Sequence, residues 1–299
     1  MARSYPPDVL VLDTDSLLHA RLGRGQKSAR VSHAKNYRFI GSPFAPAVVT
    51  PELANEQSLA ETLRRLRNET GKWDRVSLLL PDSWFRINII ELPSLPERAA
   101  EAMEMVRWSL KRTIPIAPED LRVSYEVLSR APGSVKVLVI SAVEKTLAAI
   151  ERVFADAGLD IILIEPVGLN IWNAIAVREA TATTADRVFL YVRSADFTTA
   201  VFRGSQPLFI RSRNLSGDRT LQQEIRLSAS YLRDALQANT YTALYFAGVN
   251  LDSDVRAELA TAFNAPVHVV ALRDFVDDAP SGFSAHDAEL TACTGVFTG

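Results

Sequence analysis

The chain has 299 residues, enough to bury a large core and to divide into two lobes, because single hydrophobic cores stop growing near this size. Its 33 basic and 35 acidic residues give a formal net charge of −2, which lacks the basic excess that argues for nucleic acid. An apolar content of 47% and a charged content of 23% are those of an ordinary globular protein. The single cysteine, Cys293, excludes an internal disulfide framework and fits a reducing compartment.

Residues 1–7 show no apolar leader segment, and runs such as IILI at 161–164 fall far short of the ~20 residues of a membrane helix. The expectation is a cytoplasmic protein that is not itself integral to the membrane.

In chain order, DVLVL (8–12) predicts a short strand that reaches Asp13-Thr14-Asp15-Ser16, and Leu17 to Leu22 returns as a second strand, a hairpin about an acidic turn. Residues 24–36 are basic and polar: a solvated edge strand and loop, or a contact for an acidic partner. Thr50 and Pro51 predict a helix start, with Leu53, Ala60, Leu63 and Leu66 as its buried stripe and Gly71 as its stop. VSLLL (76–80) reads as a strand covered on both faces.

Residues 82–128 hold the clearest local pattern. FRINIIEL (85–92) predicts a strand. Ser94 with Glu97 forms a capping box for a helix from Leu95, with Ala99, Met103, Val106 and Leu110 on one face and Pro115 as the stop. LRVSYEVL follows as a strand. Trp108 lies roughly 200° from Val106 at ~100° per residue, off the apolar stripe, so it is the residue expected to pack against another lobe or a partner. Trp84, Phe85 and Trp172 read either as core or as partner contacts. Nothing in this stretch has the pattern of a catalytic site; it reads as a packing module.

VKVLVISAV (135–143) predicts another strand, and Ser141 with Glu144 a second capping box for a helix to Ala157, with Gly158 past its end. DIILIEP and a helix over 167–178, carrying Leu169, Trp172 and Ile175, lead to the linker candidate TATTAD (181–186). Three strands are then expected at 187–193, 197–203 and 207–213, with Gly204-Ser205 as a turn. Gly217-Asp218 introduces a helix with Leu221, Ile225, Ala229, Leu232 and Leu236 on one face. ALYFAGV (243–249), a helix after Asp252 with Val255, Leu259 and Phe263, PVHVV (266–270) and a terminal helix over 285–297 complete the chain. The hairpin DVLVLDTDSLLHARLG is echoed by RVFLYVRSADFTTAVFRG, each with a polar turn of Asp, Ser and Thr.

His19, His33, His268 and His286 show no metal-helix spacing, and Cys293 has no Cys partner, so no metal site is expected. The G-x-x-x-x-G-K-[ST], G-x-G-x-x-G and G-x-S-x-G patterns are absent, which weakens P-loop, Rossmann and hydrolase readings.

A duplicated hairpin with a helical insertion in the first lobe resembles the actin-like fold. The details resemble the PilM family of type IV pilus assembly proteins, related to FtsA and to the GspL cytoplasmic domain. The residues that carry the resemblance are Leu92-Pro93, Glu101, Val106-Arg107-Trp108-Ser109-Leu110, Ile114-Pro115, Tyr125-Glu126-Val127-Leu128, Ala157-Gly158-Leu159 and Glu165-Pro166. The resemblance implies an α/β, actin-like (ribonuclease H-like) two-lobe fold. It places a first lobe at 8–83 with a return segment at 164–180, an inserted α+β module at 84–163, a second lobe at 186–280 and a C-terminal helix at 281–299. The second lobe is expected to lack the subdomain that the family inserts between Gly217 and Leu236.

The resemblance also implies where a nucleotide would sit: Asp13 and Ser16 in the first turn, Thr198 and Thr199 in the second hairpin, and Gly248 after a strand. Here the family's phosphate-turn glycines are missing. Asp13 and Asp15 could hold a metal that bridges to phosphate, or simply accept local backbone bonds. Thr198 and Thr199 could touch phosphate or be ordinary strand residues, and Arg193 could bind an anion or be solvated. The expectation is a degraded or absent ATP site and no cofactor, with ATP and Mg²⁺ as the alternative should the site function. By resemblance the protein is a non-catalytic scaffold of a pilus or related secretion machine. It would bind the cytoplasmic tail of a PilN-like inner-membrane protein between the first lobe and the module, with Trp108 as the contact to test. It would reach the inner membrane only through partners, with self-association also open. An ATP-binding member of the same superfamily and a GspL-like cytoplasmic domain of type II secretion are the alternatives; the want of a following membrane span counts against a full-length GspL.

Overall fold

A computed structural model describes residues 5–25, 29–45, 51–71, 73–111, 114–179, 185–204, 206–215, 219–236, 241–249 and 251–298. The expected helix start at Thr50, most of the TATTAD linker, Ser205 of the second turn and the Gly217-Asp218 pair lie outside the described residues. The chain divides into two compact units. An amino-terminal unit comprises Asp8–His19 and Lys35–Pro166, and a carboxy-terminal unit comprises Met1–Pro7, Ala20–Ala34 and Val167–Gly299. The inserted module expected at 84–163 falls within the amino-terminal unit, and the return segment expected at 164–180 divides after Pro166.

The first sheet takes in β1 (Asp8–Leu12), β2 (Ser16–Arg24) and β3 (Ala29–Arg38), with β6 (Arg75–Leu80) and β10 (Asp160–Pro166), in the order β10-β6-β1-β2-β3. Strand β6 pairs in parallel with both β1 and β10. A strand so flanked is buried on both faces, which explains why VSLLL is apolar throughout. β3 is an edge strand with an alternating pattern, Ala29 and Val31 buried and Arg30 and Ser32 exposed.

Two short strands, β4 (Phe44–Ala45) and β5 (Glu52–Leu53), precede helix α1 (Glu56–Thr70). The helix therefore begins later than the Thr50-Pro51 signal. Leu53 is held extended by pairing with Phe44, and Asn55 supplies the cap by accepting the Ser58 N–H at 3.2 Å. Leu59, Leu63 and Leu66 form its buried stripe, Ala60 is half-buried, and Gly71 follows with φ +84°.

The module consists of β7 (Phe85–Leu92), α2 (Ala99–Leu110), β8 (Leu121–Ala131), β9 (Ser134–Val143) and α3 (Glu144–Asp156), with sheet order β7-β9-β8. Central β9 serves two cores. Val135, Val137 and Val139 meet Val106 and Leu110 of α2, whereas Ile140 and Ala142 join Phe85, Trp84, Ile150 and Phe154. Both expected capping boxes are corrected. Helix α2 starts at Ala99, leaving Ser94 and Glu97 in the preceding loop, because Pro96 disfavours helical backbone at Leu95. Ala99 is exposed, and the buried stripe is Ala102, Val106 and Leu110, with Met103 half-buried. Ser141 stays in β9, where its hydroxyl donates to the Arg86 carbonyl at 3.3 Å. Glu144 pairs instead with Arg122 of β8, whose guanidinium also holds Glu151, so the cluster ties β8 to α3.

In the carboxy-terminal unit, α4 (Val167–Arg178) leads to β11 (Asp186–Val192), β12 (Asp196–Arg203), β13 (Gln206–Asn214), α5 (Leu221–Leu236), β14 (Ala243–Gly248), α6 (Ser253–Phe263), β15 (Val267–Val269) and α7 (Asp287–Thr298). The strands align as β13-β12-β11-β14-β15, with β11 antiparallel to β12 and parallel to β14. Ile225 and Leu232 of α5 and Val255, Leu259 and Phe263 of α6 pack on Val188, Leu190, Val201 and Phe246. Trp172 of α4 stacks on Phe202 at 3.9 Å between ring centres, and the Arg187 guanidinium lies 5.2 Å from its ring. Helix α7 crosses α4 so closely that a Cβ on Gly295 would come 1.9 Å from the Asn170 carbonyl oxygen.

Gly295→Ala forces backbone apart rather than a flexible side chain, so it should destabilise the protein by about 3 kcal/mol, the upper part of the usual overpacking range, read as a lowered midpoint in urea unfolding. The Arg122 hydrogen bond holds the Glu144 carboxyl below its ordinary value of 4.5. A carboxyl depressed by folding adds stability above its unfolded pKa and loses that contribution as pH falls through the folded value. Arg122→Gln should therefore cost about 1 kcal/mol at pH 7, since these side chains are about a third exposed, and the gap to the parent should narrow steadily as urea titrations are taken below pH 4.5.

Candidate functional site: two polar hairpins and an exposed tryptophan

Each unit carries one hairpin turn of the expected nucleotide site. In the amino-terminal unit the Asp13 N–H donates to the Ser16 carbonyl at 2.9 Å, closing the β1–β2 turn. The Thr14 N–H donates to Asp13 Oδ1 at 2.6 Å, the Ser16 hydroxyl donates to Asp15 Oδ1 at 3.0 Å, and the Phe39 N–H donates to the Asp15 carbonyl at 3.0 Å. Both carboxylates thus accept local bonds, as short polar side chains in turns commonly do.

The β11–β12 turn repeats the arrangement. The Arg193 N–H donates to the Asp196 carbonyl at 2.8 Å, and the Leu215 N–H donates to the Ala195 carbonyl at 2.7 Å. Here the charge is paired: Arg193 Nη1 lies 3.1 Å from Asp196 Oδ2, with side chains 11% and 7% exposed. Thr198 and Thr199 point to opposite faces of β12. The Thr198 hydroxyl is 2.8 Å from that of Ser212 on β13, and Thr199 is 1% exposed. Gly248 ends β14 opposite Val192, with φ +106°; a Cβ there would stand 1.9 Å from the Val192 carbonyl oxygen, and the Val249 N–H donates to that same oxygen at 3.0 Å. Glycine is required at 248 by this close approach of two backbones. Thr198, Thr199 and Gly248 thus share one sheet, on the two strands that flank β11, while Asp13 and Ser16 belong to the other unit.

Trp108 on α2 is 62% exposed, the orientation that its departure from the buried stripe predicts. Lys111 Nζ lies 4.9 Å from its ring centre. Glu104, Arg107, Trp108, Lys111, Pro118 and Glu119 line a depression of about 300 Å³. An exposed indole with cations beside it offers a flat apolar surface and a positive charge to one side.

Two polar groupings, one buried and one partly buried, gave no motif to read. His19 Nε2 lies 2.8 Å from Asp8 Oδ1, both buried, with the Trp73 ring stacked 5.1 Å from the imidazole. Glu179 receives hydrogen bonds from both Arg187 and Tyr245, and burial followed by that bond pushes the Tyr245 hydroxyl up to about 12. The only trace in sequence is a charged or polar residue at an inward position of an otherwise apolar strand. Cys293 is fully buried, and burial raises its thiol well above the ordinary value, the state of an inert packing residue. Among the described residues no group of three or more His, Cys, Asp or Glu is placed to hold a metal, and no helix is long and apolar enough to cross a membrane.

No family model and no curated protein matches the chain. Solved structures do. A chain of the PilM–PilN type IV pilus biogenesis complex superposes with a TM-score of 0.79 at 17% identity, over 98% of each chain. A Bacteroides thetaiotaomicron protein of unknown function with an actin-like ATPase fold gives 0.55 at 13% identity, over 90% of this chain and 91% of that one. The cytoplasmic domain of EpsL, an inner-membrane component of the type II secretion system of Vibrio cholerae, gives 0.54 at 14% identity, over 98% and 94%. The duplicated hairpins, the two five-stranded sheets and the inserted module are therefore those of an actin-like fold, in the form seen in the PilM–PilN complex.

Proposed function

We propose that this chain is a non-catalytic actin-like scaffold of a type IV pilus or related secretion machine, which holds the cytoplasmic tail of a PilN-like inner-membrane protein. The observation that carries the proposal is the end-to-end likeness to a chain solved within a PilM–PilN complex. The likeness to cytoplasmic EpsL supports the same setting, at the inner face of the inner membrane through partners, and keeps a type II secretion role as the second reading.

The reading against turnover rests on what the hairpin residues already do. A phosphate cradle needs backbone N–H groups directed at the ligand and glycine to let it approach. Here the Thr14 N–H is engaged by Asp13, the Arg193 charge is met by Asp196, the Thr198 hydroxyl is engaged by Ser212, and Gly248 has a backbone reason to be glycine. Two carboxylates in the first turn would repel a triphosphate in the absence of a divalent ion. The function is recognition. An extended tail adds along a sheet edge, and one apolar side chain rests on Trp108 with Lys111 and Arg107 beside it.

Calorimetric titration with Mg-ATP should give a dissociation constant weaker than about 1 mM, near −4 kcal/mol; micromolar binding, near −8 kcal/mol, would sink the scaffold reading in favour of an ATP-binding member of the superfamily. Trp108→Ala removes an exposed side chain, so its thermal unfolding curve should overlay that of the parent. Its capture of a synthetic PilN-type tail peptide should weaken by about 30-fold or more, on the order of 2 kcal/mol, and equal capture by the two proteins would remove Trp108 from the contact.

A further inference from the structure

A second surface, in the carboxy-terminal unit, has the makings of a docking edge. Among the described residues strand β13 is the last of its sheet, so one side of its backbone carries alternate N–H and C=O groups that pair with no further strand there. Phe209, Arg211 and Arg213 point to the face of the sheet that α5 covers, two residues apart, in line with Val201, Thr199 and Phe197 of β12. Helix α5 sits beside them and exposes Leu227 and Tyr231, 49% and 48% accessible and one helical turn apart. The Tyr231 ring lies 5.4 Å from Phe209 and 5.3 Å from the Arg211 guanidinium. The apolar strip continues into a shallow depression of about 480 Å³ lined by Arg219, Gln223, Arg226 and Leu227.

The charge on this ledge is one-sided. Arg219 is matched by Glu224 and Arg226 by Glu258. Arg211 and Arg213 have no carboxylate partner among the described residues, although the chain as a whole is slightly acidic. A row that runs apolar, cationic, cationic along an open strand edge has a direct complement.

We propose that the β13 edge and the outer face of α5 bind an extended, acidic segment of a partner protein. The segment adds as a further strand. Residues directly opposite one another in neighbouring strands stand about 5 Å apart and share a face at every second position. The register therefore places an apolar side chain of the segment opposite Phe209, against Tyr231 and Leu227, and Asp or Glu opposite Arg211 and Arg213. For a segment that runs parallel to β13 the recognised pattern is apolar, any, acidic, any, acidic. This edge is distinct from the Trp108 surface of the other unit and does not depend on it.

The test is an anisotropy titration of the whole protein with a fluorescein-labelled peptide in which threonines alternate with one leucine and two glutamates in that order. Saturable binding that weakens about tenfold between low salt and 0.5 M NaCl is expected, because the contact is exposed and ionic. Arg211→Glu, at a half-buried position on the strand edge, and Tyr231→Ser, at an exposed one, should each weaken it by at least tenfold, while Trp108→Ala leaves it intact and all three keep a cooperative thermal unfolding transition. A peptide N-methylated at alternate residues should lose binding, since strand addition requires its N–H groups. Equal binding of a control peptide with lysines for glutamates, retained binding by the N-methylated peptide, or no binding at millimolar protein would each overturn the proposal. So would dimerisation of the protein alone that Arg211→Glu abolishes, which would give the edge to a second copy.

Discussion

The same backbone closure is made twice. A strand ends, the N–H of the next residue reaches across a tight turn to the carbonyl three residues on, and the residue that follows the third strand donates its N–H to a carbonyl within the turn. Asp13, Ser16, Asp15 and Phe39 do this in one unit, and Arg193, Asp196, Ala195 and Leu215 in the other. Three strands are locked into one register by these bonds. Once they are fixed, β1 and β11 each take a parallel neighbour on the remaining side, β6 and β14 respectively, and the helices cover the sheets that result. A turn closed in this way has committed much of its donor capacity to itself. The polar side chains of the turns are drawn into the same closure, with Asp13 and Asp15 accepting locally and Arg193 paired with Asp196. Fold and turn chemistry are thus linked through one set of hydrogen bonds.

Much of this was legible in the residues. VSLLL declared a strand covered on both faces, and it lies between two parallel neighbours. The two hairpins were visible because an apolar run stops at a polar cluster of Asp, Ser and Thr and a second strand returns, and no tertiary contact is needed to set that pattern. That Trp108 lies off the buried stripe of α2 was visible by angle alone; that its indole is exposed and not packed on another element is settled by the fold.

The rest was decided by contacts distant in sequence. The local signal at Ser141 and Glu144 was a capping box, but β9 claims Ser141 for its ladder with β7 and β8, and Arg122, 22 residues earlier, claims Glu144. Asn55 outcompetes Thr50 and Pro51 because the β4–β5 pairing holds Leu53 extended. The need for glycine at 295 and 248 is equally silent in sequence. Each is set by the backbone of another element, Asn170 in one case and Val192 in the other. The ledge of Phe209, Arg211, Leu227 and Tyr231 is assembled from a strand and a helix, so no spacing along the chain announces it.

Strand β9 alternates between two cores, with Val135, Val137 and Val139 to one side and Ile140 and Ala142 to the other. A slip of one residue would turn both sets around together. Mutational change in this strand is therefore penalised twice, whereas the outer face of α2, one layer away, carries almost no packing duty. Such a division lets the exposed residues around Trp108 change one by one without touching the framework that keeps the module folded. Surface character and foldability can drift at independent rates, and sequences of this kind can diverge until only their shape is shared.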